Sequence, residues 1–591
     1  MWAVISIVTL PLIVIAAAMN AETWYPTSDW ALIEARTRDV GTVNTPLVGP
    51  FSRYGWNHPG PTMYFVLSPL YRLTGQAPSA LLAGSALFNA GVLAAAAAVA
   101  RRVGGRSMLM IIGVCSAVFV HAASEMLIDP WNPFIAVAPF GLFVLAAWGL
   151  SARIWLLAPL MVAAGTFAIQ SHVGYAVLVA PLTVWAVAAA TVGARRSTTT
   201  SERHVRLALA SSVGVGLLMW AAPLAEQLSR SPGNIRAIAR YFLSPNSEAP
   251  AGWSVSSDVI SRALAPFGQW IGFAEPLNRF GMVASTSVLW ALPIVAVLVL
   301  ATLSAHRRRD RLGVLGGVTV GLAVLLGAVA AARINGLAFS YIVRWSWMLG
   351  MLTWAMALWL SWRMVGERVT CRIRSALMIT GLVVMLGFGF VTSFSARGLA
   401  LPGPDRESAA LAQIADDLRA LIPTPPEHEA YRVGPVGYSW FEMFSGVVNH
   451  LDASGIAVVA EPDFSISFGG HRTVGGHRAP TPTAGMIRVV TGEDDGWYAD
   501  DPNWQLIAAH DPLDPEQQTL LNDLRSRVQA QLIAAGRNDE ADWAFDRRLL
   551  SLLDFDTFGL SNEEQQTLLD LMSAGERQRV YLQMGPLDGG P

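Results

Sequence analysis

Seven polar residues draw attention because they lie beside or within long apolar runs. Asp29 begins, and Asp39 ends, the stretch DWALIEARTRD. A carboxylate held near a hydroxyl can take its proton during reaction, which is typically worth 10²–10⁴-fold in rate. Asp29 also suits a second role, since SDWALIEA reads as a helix start that Ser28 or Asp29 would cap. Asp39 reads as a second carboxylate or a loop acid. Arg53 and His58 flank the triplet YGW. They can bind phosphate or sugar, or hydrogen-bond within a packed loop. Asp129 lies in DPWNPF, where it is either another functional acid or the start of a turn before proline. His172, in QSHVGY, ends an apolar run and either contacts a ligand or rests at an interface. Arg344 falls a few residues inside the apolar stretch AFSYIVRWSWMLG. A charge there costs roughly 2.5–3.5 kcal/mol on insertion scales, so it calls for an anionic partner or for a route back to water. A divalent cation, Mg²⁺ or Mn²⁺, is the one cofactor the residue types leave room for. No helix carries a metal-ligand spacing, and Walker, GxSxG and zincin patterns are absent from the sequence. The two cysteines, Cys115 and Cys371, allow no cysteine-based metal site.

The elements that must position these residues are membrane helices. Hydrophobic residues make up 53% of the 591 positions and charged residues 14%. Crossing about 30 Å of hydrocarbon takes roughly 20 apolar residues. Eleven runs meet that need, near 2–19, 79–100, 107–124, 133–151, 154–170, 173–193, 207–225, 283–303, 312–332, 339–362 and 376–395. All 41 basic residues are arginine. They gather in alternate short loops, around Arg101 to Arg106, Arg153, Arg195 to Arg206, Arg307 to Arg311 and Arg363 to Arg374. The positive-inside rule puts those loops, with the N-terminus, in the cytoplasm, and everything after residue 395 on the outer face of the plasma membrane. The acids of the first part fall mainly in the outward loops, including Glu226, Glu248, Asp258 and Glu275. The first outward loop, 20–78, ends in an apolar stretch, Met63 to Leu73, too short to span; it reads as a helix lying along the membrane surface.

Charge divides the chain in two. Residues 1–395 hold 27 arginines against 13 acids, and residues 396–591 hold 14 against 30. The second part also changes pattern. ESAALAQIADDLRALI and DPEQQTLLNDLRSRVQAQLIAAG read as helices, and YRVGPVG, GIAVVAEP, MIRVVTG and WQLIAAHD as short strands. The expectation is a polytopic α-helical membrane domain, 1–395, with outer loops 20–78 and 226–282, followed by a small extracytoplasmic α/β domain, 396–591.

This layout, with SDWALIEARTRD, RYGWNHPGP, DPWNPF and QSHVGY, resembles the GT-C superfamily of integral-membrane glycosyltransferases. The likeness is nearest to the actinobacterial cell-envelope branch, and more distant to the protein mannosyltransferase and aminoarabinose transferase group. The resemblance implies a sugar, arabinofuranose or mannose, taken from a polyprenyl-phosphate carrier. It is passed with inversion to an envelope glycan, lipid or protein on the outer face. The partners implied are that donor, that acceptor and membrane lipids, with no nucleic acid. Asp29 would be the catalytic base. Asp39, Arg53, His58, Asp129, His172 and Arg344 would contact substrate, with Arg344 on the lipid phosphate. The Asp-Glu pair often seen in the group reads Asp29-Trp30 here. The competing reading is a lipid or saccharide transporter or flippase. Such proteins usually show internal repeats and broken helices at midplane, neither of which the sequence displays.

Overall fold

The computed structural model describes residues 1–195, 202–244, 249–272, 282–403, 405–437, 440–492, 496–545, 549 and 558–585. Glu248 and Glu275 of the outward loops, and Arg196, lie outside the described residues. Two compact units emerge. The first is Met1–Glu22 with Thr37–Ala400, and the second is Thr23–Arg36 with Leu401–Pro591.

The first unit is helical. Its elements in chain order begin with α1 (Trp2–Met19) and α2 (Ser28–Asp39, whose first turns belong to the second unit). A two-stranded hairpin follows, β1 (Phe51–Ser52) and β2 (Trp56–Asn57). Then come α3 (Thr62–Leu73), α4 (Ser79–Ala122), α5 (Ser124–Ile128), α6 (Asn132–Ile135), α7 (Val137–Ser151), α8 (Ala158–Ser171) and α9 (Ala176–Arg195). The unit continues with α10 (Glu202–Ser229), α11 (Asn234–Leu243), α12 (Gly252–Leu264), α13 (Leu292–Arg307), α14 (Arg311–Ala332), α15 (Trp345–Val365) and α16 (Cys371–Phe394).

Among the described residues, eight helices are long and apolar enough to cross a membrane. One of them, α4, has 44 residues. At 1.5 Å per residue it is about 66 Å long, roughly twice a hydrocarbon core. Gly105, at φ 79°, breaks its helical backbone, so α4 supplies two of the eleven expected runs. The apolar helix Trp155–Ser171 is shorter, and α15 answers to the run near 339–362. Every apolar run read from the sequence is therefore helical. The short stretch before the second run is helix α3, which buries Met63, Tyr64, Leu67 and Tyr71 along one face and leaves Leu73 exposed. At 12 residues it is about 18 Å long, too short to span.

The core of this unit is α7. All fifteen of its residues, Val137 to Ser151, are buried. A helix that is apolar on every side is stable only when other helices cover it completely. Small residues allow the close approach, since helices in lipid associate through packing rather than through water exclusion. Where α15 meets α12, Gly350 faces the carbonyl oxygen of Ala263, and Trp354 Nε1 donates to the Leu264 carbonyl at 3.0 Å.

The second unit is a mixed sheet with helices. Its strands are β3 (Glu429–Val436), β4 (Val458–Ala460), β5 (Thr481–Thr491), β6 (Gln505–His510) and β7 (Gln578–Met584), in the order β4-β3-β5-β7-β6. β3 is parallel to β4 and β5, whereas β7 runs antiparallel to β5 and β6. The helices are α17 (Asp405–Leu421), α18 (Trp440–Ala453), α19 (Ser465–Phe468), α20 (Gly496–Asp500), α21 (Pro515–Ala534) and α22 (Asn562–Ser573). Both long C-terminal helices start with a capping box, Asp514 with Gln517 and Ser561 with Glu564. Their apolar faces meet through Leu524, Val528, Leu532 and Leu568.

The sequence reading counted residues 20–78 as one loop of the membrane domain. The structure instead gives Thr23–Arg36 to the second unit. Trp24 Nε1 donates to the Pro402 carbonyl at 3.1 Å, and the Ser408 hydroxyl donates to the Tyr25 carbonyl at 2.8 Å. Trp30 is fully buried, and buried Glu34 accepts from Asn449 Nδ2 at 2.7 Å.

A methyl group at Gly350 would overlap the Ala263 carbonyl, a backbone atom that cannot rotate away. Gly350→Ala should destabilise the helical unit by about 1–3 kcal/mol, the usual cost of overpacking. Gly321→Ala, with nothing within 4 Å of the added methyl, should not. Thermal unfolding of the two variants in detergent checks the contrast.

Candidate functional site

Arg344 was expected a few residues inside a span. The structure corrects this: residues Ser340–Val343 form a single 3₁₀ turn, and Arg344 is the N-cap of α15. The apolar run from 339 includes that turn, and hydropathy alone cannot separate it from the helix that follows. Arg344 is only 4% exposed. Its guanidinium donates to the Ser340 hydroxyl at 3.0 Å and lies 5.0 Å from the Trp347 ring centre and 5.9 Å from that of Phe134. A buried cation beside aromatic faces gains cation–π energy. It also stands at the positive end of a helix dipole, which repels it. A helix N-terminus and a guanidinium both favour an anion.

An aromatic ladder joins Arg344 to Arg53. Phe134 packs on Trp131 at 5.2 Å, Trp131 on Tyr341 at 4.7 Å, and Tyr341 on Phe339 at 5.8 Å. Arg53 lies 5.5 Å from the Phe339 ring centre and donates to the Tyr54 hydroxyl at 2.8 Å. The ladder is built from DPWNPF and AFSYIVRW, far apart in sequence. Asp129 is fully buried at its base, and its Oδ1 accepts the Trp131 backbone N–H at 2.8 Å. Asp129 therefore fixes the turn that presents Trp131, the turn-starting role that the following proline suggested.

The histidines form a second group. The rings of His58 and His172 lie 4.7 Å apart. The Val173 N–H donates to His58 Nδ1 at 3.1 Å, which leaves any ring proton of neutral His58 on Nε2. The hairpin carrying His58 reaches this position because Gly49 and Gly60 let its backbone approach Gln170; a Cβ at either would collide there. Burial, and then the neighbouring His172, holds the His58 imidazole well below its usual pKa. Burial alone lowers His172, in the connection between two apolar helices, to about 4. Both rings are accordingly neutral at pH 7. Asn132 Nδ2 donates to the Ser171 carbonyl at 3.3 Å, tying this group to the turn after Asp129.

Around the pair, Trp56 Nε1, Gln170 Oε1, the Ser171 hydroxyl and the Tyr175 hydroxyl are buried and have no hydrogen-bond partner among the described residues. Trp56 packs edge-on to His58 at 5.4 Å, and Tyr175 to His172 at 6.2 Å. Buried polar atoms are nearly always paired in native proteins, so this many in one corner suit a hydroxyl-rich ligand or ordered water.

The two remaining candidates lie on α2. Asp29 is half-buried in its first turn, within the second unit, and Ser28 before it has φ 51°, a left-handed conformation costly for a non-glycine residue. Asp39 is the last residue of α2, is 4% exposed and belongs to the first unit; its carbonyl accepts the Thr42 hydroxyl at 2.7 Å.

Among the described residues no three His, Cys, Asp or Glu side chains are grouped to hold a metal ion. The donor set around His58 and His172, two imidazoles with neutral amide and hydroxyl groups, does not fit Mg²⁺ or Mn²⁺, which prefer carboxylate oxygen. The sequence reading missed the individual roles of Trp56, Trp131, Phe134, Gln170, Tyr175, Ser340 and Tyr341. The signal was the density of aromatic and amide residues in short segments between apolar runs.

No protein-family model and no curated protein matches the chain. Among solved structures, it is similar to ArnT from Cupriavidus metallidurans bound to undecaprenyl phosphate. The likeness has a TM-score of 0.52 at 14% identity and covers 85% of this chain and 95% of that one. At this identity the likeness establishes a fold. The chain is a multi-pass membrane protein with a GT-C fold, carrying a small sheet domain after its last apolar helix.

Proposed function

We propose that the chain is a membrane glycosyltransferase that moves a sugar from a polyprenyl-phosphate carrier to an acceptor hydroxyl with inversion. The observation that carries the reading is the buried guanidinium of Arg344 at a helix N-terminus, in a fold shared with a protein that holds undecaprenyl phosphate. The acceptor hydroxyl attacks the anomeric carbon and the bond from that carbon to the phosphate oxygen breaks. The acceptor's proton passes to a carboxylate, and the carrier leaves as its phosphate. Charge grows on the phosphate as it leaves, and preorganised donors at that point stabilise the transition state. Arg344 and Arg53 take that role. The neutral rings of His58 and His172, with the polar groups beside them, hydrogen-bond the sugar. Asp29 is the base in this reading, and its strained first turn is the kind of feature that accompanies function. The reading keeps the N-terminus in the cytoplasm and the reaction on the outer face, with arabinofuranose or mannose as the sugar to try first.

Membrane vesicles of known sidedness, given labelled polyprenyl-phosphate sugars and a non-permeant acceptor, test the activity. Transfer should appear when the outer face is accessible. Asp29→Asn should keep the fold and donor binding while turnover falls at least about a hundredfold, the low end for a positioned base. Substantial turnover in that variant would mean that Asp29 is not the base and serves only within the first turn of α2. The same assay on Asp39→Asn and Asp129→Asn would then locate the base.

Arg344→Ala should weaken donor binding at least about tenfold, because hydrogen bonds to charged groups contribute about 1.5–3 kcal/mol. Arg344→Lys should recover only part, since an ammonium cannot reproduce the guanidinium fork. Donor affinity equal to wild type in Arg344→Ala would sink the phosphate role.

The histidine pair gives a pH signature. His172 has a folded pKa of about 4 against an ordinary 6.5. Between those values the unfolded chain binds more protons than the folded one, so stability rises with pH. It is fully present above pH 6.5 and is lost as pH falls towards 4. His172→Gln should therefore show a shallower loss of thermal midpoint over this window than wild type. Parallel pH profiles for the two proteins would argue against a neutral buried pair.

A further inference from the structure

We propose that a groove between the β1–β2 hairpin and α11 binds an anionic saccharide, a sugar ring carrying a phosphate or carboxylate. It would be the acceptor's recognition site, distinct from the Arg344 cluster. The cavity measures about 340 Å³ and is lined by Tyr54, Trp56, Pro232, Arg236, Arg240 and Tyr241. That volume is at the small end of ligand pockets, suited to a headgroup rather than a long chain.

The chemistry of the lining selects the ligand. Three aromatic rings meet there: Tyr54 and Tyr241 at 4.8 Å, Trp56 and Tyr241 at 5.7 Å, and Tyr54 and Trp56 at 6.2 Å. Their flat faces can cover the apolar C–H face of a sugar ring. Arg236 and Arg240 are exposed and four residues apart on α11, hence on one helix face. Among the described residues no carboxylate pairs with either. Two guanidiniums on one face suit an oxyanion, which they can grip with paired N–H donors. Aromatic faces alone would favour neutral sugars, and arginines alone any anion; the combination calls for both on one ligand.

The groove is also pre-organised. The Asn57 N–H donates to Asn234 Oδ1 at 2.9 Å, and Asn234 Nδ2 donates back to the Asn57 carbonyl at 2.8 Å. The buried Glu226 carboxylate accepts the Asn234 N–H at 2.9 Å and so fixes the start of α11. These bonds hold the two walls before any ligand arrives, which lowers the ordering cost of binding. The position is informative too. Trp56 forms one wall and also packs on His58, so a ligand in the groove lies one ring away from the histidine corner.

The role as acceptor site rests on the proposed transfer, but binding can be measured without it. The test uses purified full-length protein in lipid nanodiscs, with calorimetric titration of glucose 6-phosphate, glucose and inorganic phosphate. Glucose 6-phosphate should bind more tightly than either of the others. The variant Arg236→Gln/Arg240→Gln should raise its Kd at least about tenfold, as expected for lost charged hydrogen bonds. Tyr54→Ala should weaken glucose 6-phosphate but not inorganic phosphate. Arg344→Ala should leave glucose 6-phosphate unaffected while impairing a polyprenyl-phosphate sugar, which separates the groove from the donor site. A thermal midpoint equal to wild type establishes that each variant is folded, and Arg240→Gln alone serves if the double variant is not. The proposal is overturned if wild type binds no glucose 6-phosphate, if the double variant binds it as wild type does, or if Arg344→Ala loses it instead. Inorganic phosphate binding as tightly as glucose 6-phosphate would overturn the saccharide assignment. Failure of sugar transfer with groove binding intact would refute the enzyme reading and not this one.

Discussion

A guanidinium buried among apolar helices has to be placed where polar groups can reach it, and Arg344, 4% exposed, sits at the start of α15. Arg344 is held by one hydroxyl and two aromatic faces, at a helix end whose dipole opposes it. The residues that surround it come from the turn after Asp129, from the 3₁₀ turn before α15 and from the first turn of α15 itself, all at ends of helices. Polar backbone is tolerated within a membrane protein only where protein or water satisfies it. Helix ends are where such backbone can be placed, and Asp129, His172 and Arg344 all lie there.

Rigidity is supplied from below. The fully buried α7 leads directly out of the Asp129 turn and is clamped on all sides, so Trp131 and Phe134 are presented from a fixed base. The Gly49 and Gly60 backbones, pressed against Gln170, do the same for the hairpin. Both are close-packing constraints, which leave little room for the segments concerned to shift.

The second unit contributes through chain connectivity. Residues 23–36 are built into it, so the first turns of α2, with Asp29, are held by Trp24, Trp30 and Glu34 among the helices of the sheet domain. The chain therefore passes between the two units at 22–23, 36–37 and 400–401.

Much of this was legible in the sequence because hydrocarbon imposes a simple rule. A run of about 20 apolar residues has few alternatives to a helix, so all eleven runs were readable, as was the short apolar helix at 63–73. In the tail, β3 to β6, α17 and α21 followed from hydrophobic pattern. The strand β7, QRVYLQM, was not read, although it lies between β5 and β6, because polar residues interrupt its apolar ones. The site residues could be chosen one by one, as acids, arginines and histidines beside apolar runs. What the sequence could not provide was their company. That His58 faces His172, that Arg53 and Arg344 share an aromatic ladder, and that Asp29 is built into the sheet domain all depend on contacts between segments tens to hundreds of residues apart. Composition and periodicity are local and fix the helices. Which helix ends meet is decided by close packing of the whole chain, and only the folded structure contains that information.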